Sequence, residues 1–323
     1  MVAPTSAPIA KLGHVAIETT DLEESLWFFR DLIGLNVVEV VDDTAYLRAA
    51  RDWEHHTLSI TETGSQGVNH VAFRASSEEA LEELAADLEG QGIDVEWKEA
   101  GTERGVGRLF RFVSPHDHHF EVYRDVERPE APEDRRSKLK LRRYDPTDAN
   151  LVNPQRLDHT HVQGPEGREQ TDWIMDTFGM GLNEIFTKGD GKEWAWWLSS
   201  TPLPHDIAVH DDPDLPESEF HHLAYHLNHL EDLWNAADIL SENGITVDAG
   251  PGRHAITYMD YLYVIEPASG VRLELVRGPG YLNFESDWEP VVWEESEIGP
   301  ADEHQWIGDQ YSNYSSPYTG PFP

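Results

Sequence analysis

The stretch Leu12-Gly-His-Val-Ala16 recurs in altered form as Val68-Asn-His-Val-Ala72, Leu157-Asp-His-Thr-His161 and Phe220-His-His-Leu-Ala224. Each copy places a histidine early in a short run of alternating apolar residues, the period of a strand with one buried face. Behind each copy the spacing turns helical: Asp21 to Leu32, Ser77 to Leu88, Gly167 to Phe178 and Leu230 to Glu242. Asp21 and Ser77 stand where a side-chain oxygen caps a helix N-terminus. Gly-punctuated β-type runs follow each helix, such as Leu35 to Val41, Ala45 to Ala49 and His56 to Thr61 in the first copy. The repeating unit therefore reads β-α-β-β-β. His14 and His70 lie 56 residues apart, His159 and His222 63. A unit of that length is too small to bury a core alone, so the four modules must pack in pairs. The expectation is an α+β fold of two domains.

The breaks in periodicity divide the chain. Residues 1–125 form an N-terminal domain of two modules. Residues 126–153, where Pro, Arg, Lys and Glu crowd together, read as a linker with helix around Arg135 to Leu141. Residues 154–279 form a C-terminal domain that carries the chemistry. Residues 280–323 lose their period but keep many aromatics, which favours an arm or lid lying on the body.

Composition limits the partners. The chain of 323 residues has 61 acidic side chains against 24 basic ones, a formal charge of −37. Such a field repels nucleic acid and anionic membrane surfaces. A hydrophobic content of 39% with 33 aromatic rings (11 each of Trp, Tyr and Phe) argues against an acidic disordered chain. Few lysines beside so many carboxylates point to the cytoplasm of a salt-loving microbe, where high ionic strength screens self-repulsion. The absence of cysteine excludes disulfides, thiol nucleophiles and Cys-based zinc sites. No apolar run reaches membrane length and the start lacks a signal-like h-region, so a cytoplasmic protein is expected.

Three elements carry the chemistry: Arg156-Leu-Asp-His159, His221-His222 and Arg272-Leu-Glu274. Alone, each side chain has an ordinary structural explanation; Glu274, for example, could pair with Arg272 on its own face of the strand. Together, equivalent positions on three strands deliver two imidazoles and one carboxylate. That set is a facial triad, which holds a divalent metal and leaves one side open. Fe(II) fits the pattern, and the ligand types leave Mn(II) and Zn(II) open. The N-terminal half repeats the set as His14, His70 and Glu121, either a second metal site or a relic held by hydrogen bonds. Aligning Pro115 with Pro267 puts Arg111 opposite Tyr263 and Thr102 opposite His254, while His56 matches His205.

The stretches Gly250-Pro-Gly-Arg-His254 and Tyr261-Leu-Tyr263-Val-Ile-Glu-Pro267, ending at Glu274, resemble the type I extradiol ring-cleavage dioxygenases of the vicinal oxygen chelate superfamily. The resemblance spans nearly the whole chain and is nearest to the homoprotocatechuate 2,3-dioxygenase branch. One departure is the pair Ala268 and Ser269 before Gly270, where the usual signature has a single residue. The resemblance implies paired vicinal-oxygen-chelate domains and an Fe(II) enzyme that opens a catechol with O2 to a 2-hydroxymuconic semialdehyde-type product. Mn(II) is the second choice of metal, and a homo-oligomer, a tetramer, is implied. It makes His159, His222 and Glu274 the metal ligands, His205 the residue that stabilises and protonates bound oxygen, and His254 and Tyr263 the holders of substrate oxygens. Trp197 becomes a pocket wall, and His161, two residues from His159 on the same strand face, is expected to border the pocket where this branch has asparagine.

The same superfamily contains metal-dependent isomerases and lyases and metal-free binding proteins, which stand as alternatives. A binding protein needs no matched ligand set with His254 and Tyr263 beside it, and a glyoxalase-type isomerase more often uses two carboxylates. Where the homoprotocatechuate branch holds its substrate's carboxylate with arginines, this chain has Ala249 and His304. Uncharged catechols are therefore the expected substrates.

Overall fold

A computed structural model describes residues 7–131, 133, 134, 136–140, 150–278 and 280–298. The first module runs β1 (Ile9–Thr19), α1 (Leu22–Leu26), β2 (Asn36–Val41), β3 (Thr44–Arg48) and β4 (Leu58–Glu62). The second runs β5 (Gly67–Ala75), α2 (Glu78–Gly90), β6 (Glu96–Lys98), β7 (Leu109–Val113) and β8 (His119–Tyr123). The third comprises β9 (Arg156–Gly164), α3 (Gly167–Phe178), β10 (Gly181–Thr187), β11 (Glu193–Ser199) and β12 (Ile207–Asp211). The fourth comprises β13 (Glu219–Leu227), α4 (Leu230–Glu242), β14 (Val247–Arg253), β15 (Asp260–Ile265) and β16 (Arg272–Arg277). Two further elements, β17 (Val291–Glu294) and α5 (Glu295–Ile298), follow. All four modules are β-α-β-β-β, as the repeated histidine phrases require.

The predicted caps form: Asp21 accepts the Glu24 N–H and Ser77 the Ala80 N–H. In α2, Leu81, Leu84, Ala85 and Leu88 share the buried face. Regular helix does not extend to Leu32, however. After α1 the chain widens into a π-helical turn over Trp27–Leu32, with the Ile33 N–H donating to the Phe28 carbonyl. The wider turn buries Phe28, Phe29 and Ile33 together. In the stretch expected to be helical around Arg135 to Leu141, the described residues 136–140 form turns and an isolated bridge. Pro132 together with that charge-rich, apolar-poor stretch offers no face to bury.

Each pair of modules makes one sheet. The strand order is β2-β3-β4-β1-β5-β8-β7-β6 in the first and β14-β15-β16-β13-β9-β12-β11-β10-β17 in the second. At the middle of each sheet, the first strands of two modules pair antiparallel: β1 with β5, β9 with β13. The histidine phrases lie on these four strands. A continuous apolar core runs through both halves. Phe178 of the second half packs its ring 5.3 Å from Phe73 and 5.4 Å from Phe120 of the first. Burying such a side chain contributes roughly 1.5–3 kcal/mol. The turn carrying the extra residue also joins the halves, since the Ala268 carbonyl accepts from the Thr20 hydroxyl and from Gln66 Nε2. Among the described residues, no helix is long and apolar enough to cross a membrane.

Candidate metal centre and active site

His159 on β9, His222 on β13 and Glu274 on β16 meet in the middle of the second sheet. His159 Nε2 is 2.8 Å and His222 Nε2 3.1 Å from Glu274 Oε2, and the two nitrogens are 3.2 Å apart. Register explains the meeting: Ala224 pairs with Glu274 across β13 and β16, which brings Glu274 two residues beyond His222 on the same face. All three side chains are at most 2% exposed.

Behind the cluster, His159 Nδ1 is 2.9 Å from Asp158 Oδ1, and Arg156 holds the other Asp158 oxygen at 2.6 Å. Burial alone pulls the His159 pKa down, but the bonds to Asp158 and Glu274 outweigh it and raise it to about 9. Burial dominates at His222 and lowers it to about 4. Burial also opposes ionisation of Glu274, yet His222 and His159 hold its carboxyl well below the usual range. Two imidazole nitrogens and a carboxylate oxygen thus converge within hydrogen-bonding distance of one another, an arrangement that a divalent cation can bridge. The donor set fits a metal, with Asp158 fixing the ring so that Nε2 points inward.

These three line a cleft together with His161, Trp197, His205, His254 and Tyr263. The His205 ring lies 3.9 Å from that of His159, and its Nδ1 is buried without a hydrogen-bond partner. His254 Nε2 is 3.2 Å from both the Tyr263 hydroxyl and Glu274 Oε1. Ile256, Thr257, Met259 and Val276 complete the wall. His161 borders the cleft while its Nε2 meets His210 Nδ1 at 3.0 Å. Ala249 is not on the wall; it pairs with Tyr263 on the neighbouring strand and packs among Ala224, Met259 and Tyr261. His304 falls outside the described residues.

Two features escape strand-alternation reasoning. A register shift between Phe220 and His222 lets His221 turn toward His161 instead of facing opposite to His222; its ring lies 4.8 Å from His161 and 4.9 Å from His222. Arg272 is fully buried and bonds Asp248 and His221, each at 2.6 Å, instead of forming an exposed pair with Glu274. Glu184 was also not legible. It is buried on β10 and accepts from the Thr257 N–H (3.1 Å), the Tyr281 hydroxyl (2.9 Å) and Trp293 Nε1 (2.6 Å). Its partners lie 73 to 109 residues away, so only the preference of buried carboxylates for donors hinted at it.

In the first sheet His14, His70 and Glu121 come together in the same way. His14 Nε2 and His70 Nε2 are 3.2 Å apart, with Glu121 oxygens at 3.6 and 3.5 Å. Arg111 pairs with Glu121 across β7 and β8 as Tyr263 pairs with Glu274 across β15 and β16.

Residues 156–275 match the Glyoxalase/Bleomycin resistance protein/Dioxygenase superfamily, and residues 68–127 the catechol 2,3-dioxygenase-like N-terminal domain. The chain is 45% identical over 294 residues to the manganese-dependent 2,3-dihydroxybiphenyl 1,2-dioxygenase of Geobacillus genomosp. 3, covering 91% of this chain and 92% of that protein. To the metapyrocatechase of Geobacillus stearothermophilus it is 34% identical over 303 residues, covering 94% and 91%. The crystal structure of homoprotocatechuate 2,3-dioxygenase from Arthrobacter globiformis shares the fold, with a TM-score of 0.84 over 99% of this chain and 95% of that one, at 24% identity. The chain therefore belongs to the extradiol ring-cleavage dioxygenases of the vicinal oxygen chelate superfamily. It is an enzyme of a metal-dependent class, not one of the isomerases or metal-free binding proteins that share its architecture.

Proposed function

We propose that the chain opens uncharged catechols with O2 next to the hydroxyl pair, at a divalent ion held by His159, His222 and Glu274. Fe(II) suits this ligand set, and so does Mn(II), the metal for which one relative is named. The observation that carries the proposal is the meeting of two imidazoles and a carboxylate at the floor of a cleft walled by His205, His254 and Tyr263. When bound, the ion supplies a point where catechol oxygens and O2 are held together and a catechol hydroxyl ionises more readily.

The side chains do the rest. Asp158, braced by Arg156, keeps the His159 proton on Nδ1. Burial holds the His205 pKa well below that of free imidazole, so its ring is neutral at neutral pH and stands beside His159 as a group that can take up and return a proton. His254 Nε2 and the Tyr263 hydroxyl stand together beside Glu274, placed to hold substrate oxygens. Trp197, Ile256, Met259 and Val276 exclude water from the ring.

Among the described residues, no Lys or Arg lines the cleft to meet a substrate carboxylate. Arg253 is engaged by Asp260 at 2.6 Å, and no Lys or Arg follows Arg277 in the sequence. A missing charge-assisted hydrogen bond costs about 1.5–3 kcal/mol, or roughly 10- to 150-fold. Metal-free protein reconstituted anaerobically with Fe(II) or Mn(II) and mixed with catechol in air should give a yellow ring-opened product. Its kcat/KM for catechol and 4-methylcatechol should exceed that for homoprotocatechuate by a factor of that order. No colour with either metal would overturn the activity, and a preference for the acid would overturn the substrate assignment.

A further inference from the structure

We propose that the N-terminal half holds a second divalent cation, a structural one, at His14, His70, Glu121 and Glu103. Glu103 has no counterpart in the C-terminal triad and joins the cluster from the loop after β6. One ligand atom from each of the four residues lies within 4.8 Å of all the others, and all four are buried. The register that builds the C-terminal cluster is repeated, with Ala72 opposite Glu121 across β5 and β8 as Ala224 is opposite Glu274.

Charge is the first argument. Arg111 approaches from one side, its Nε 2.7 Å from Glu121 Oε2 and its NH2 group 3.0 Å from Glu103 Oε2. That sets two buried carboxyl groups and two imidazoles against one guanidinium, a crowding of acids that a cation joining them would relieve. The second argument is an orphan atom. Glu121 is fully buried, yet its Oε1 accepts no hydrogen bond and faces His14 Nε2 at 3.6 Å. A cation between His14 Nε2, His70 Nε2 and Glu121 Oε1 would satisfy that oxygen without disturbing Arg111.

Two bulky side chains stand where the C-terminal cleft opens. Tyr123 stands two residues after Glu121, where Val276 follows Glu274, and its ring lies 5.7 Å from that of His14. Gly13 makes way for it: a Cβ there would sit 2.4 Å from the Tyr123 hydroxyl. Arg111 takes the place of Tyr263. The ion would therefore tie β1, β5 and β8 together and turn over nothing.

Metal content tests this independently of the C-terminal assignment. The full chain is stripped with a chelator, reloaded with Mn(II), desalted and analysed for metal. Wild type should carry two ions per chain, Glu121→Gln one, His159→Ala one, and the double variant none. One ion in wild type that persists in Glu121→Gln overturns the proposal. The His159→Ala protein, unaltered in its N-terminal half, guards against misfolding of Glu121→Gln. It should bind about one Mn(II) in equilibrium dialysis and melt at a higher temperature with Mn(II) than without, and no binding overturns the proposal. If the C-terminal set were not a metal site, His159→Ala would instead carry as many ions as wild type.

Discussion

Replacing Glu184 by Gln should loosen the C-terminal arm. The carboxylate faces three donors from separate segments: Trp293 Nε1 at Oε2, and the Tyr281 hydroxyl and Thr257 N–H at Oε1. A glutamine amide offers one oxygen and one NH2 group. With the oxygen kept toward Tyr281 and Thr257, the NH2 group meets the Trp293 N–H, donor against donor. One charge-assisted hydrogen bond is then lost, about 1.5–3 kcal/mol, which raises the undocked fraction of the arm roughly 10- to 150-fold. The opposite amide orientation loses two bonds and costs more. Hydrogen exchange reads this directly, because the register of β17 on β10 runs from Glu184 opposite Val291 to Thr187 opposite Glu294. Amides of residues 291–294 should exchange faster by that factor, while those of β1 and β5 keep their wild-type rates. Since Thr257 lines the cleft, kcat/KM should also fall. If β17 exchange stays within about threefold of wild type, or rises only in step with β1 and β5, Glu184 does not anchor the arm.

Alanine at His159, His222 or Glu274 should remove metal from the C-terminal centre and abolish turnover together, whereas His205→Phe should keep the metal and lose turnover; metal retained by all three alanine variants would refute the ligand assignment. His118, buried against Gln170 Oε1 at 3.0 Å, has its pKa lowered by burial to about 4. The unfolded imidazole takes its proton near pH 6.5, so the neutral folded form is fully favourable above that pH and loses ground as pH falls toward 4. The slope is about 1.4 kcal/mol per pH unit. In His118→Asn, unfolding free energy measured from pH 6.5 to 4.5 should decline less steeply by that slope, and an unchanged slope would remove His118 from the account. With a net charge of −37, raising KCl from about 0.1 M to about 1 M, which shortens the Debye length from roughly 10 Å to roughly 3 Å, should raise Tm. A flat or falling Tm would show that self-repulsion is not what limits stability.

The modules were legible because each histidine phrase marks the first strand of a unit, and the helices behind Asp21 and Ser77 carry ordinary caps. The triad was legible for a related reason: it needs only the strand period and three phrases in matching places. What lay hidden depends on register and distance. The shift at His221 adds a residue to one strand, which no alternation pattern announces. The burial of Arg272 depends on Asp248 and the turned His221. Glu184 is explained only by Tyr281 and Trp293 in a segment without period, and Glu103 only by the return of β7 and β8 beside it. The π-helical turn at Trp27 reflects how two adjacent phenylalanines share one core.

The inserted residue in the turn before Glu274 has a consequence for the architecture as a whole. Ala268 sends its carbonyl to Thr20 and Gln66, and Glu266 beneath it accepts from Ser25 Oγ at 3.2 Å. A turn that belongs by sequence to the C-terminal half is thus a clasp on the other half, fastened six residues ahead of Glu274. The duplicated N-terminal half is accordingly not ballast: trimming the chain to residues 154–279 would strip the clasp of its partners and leave Glu266 short of a donor, in the turn that sets where β16 begins. Duplication made the halves alike, and this fastening makes them inseparable.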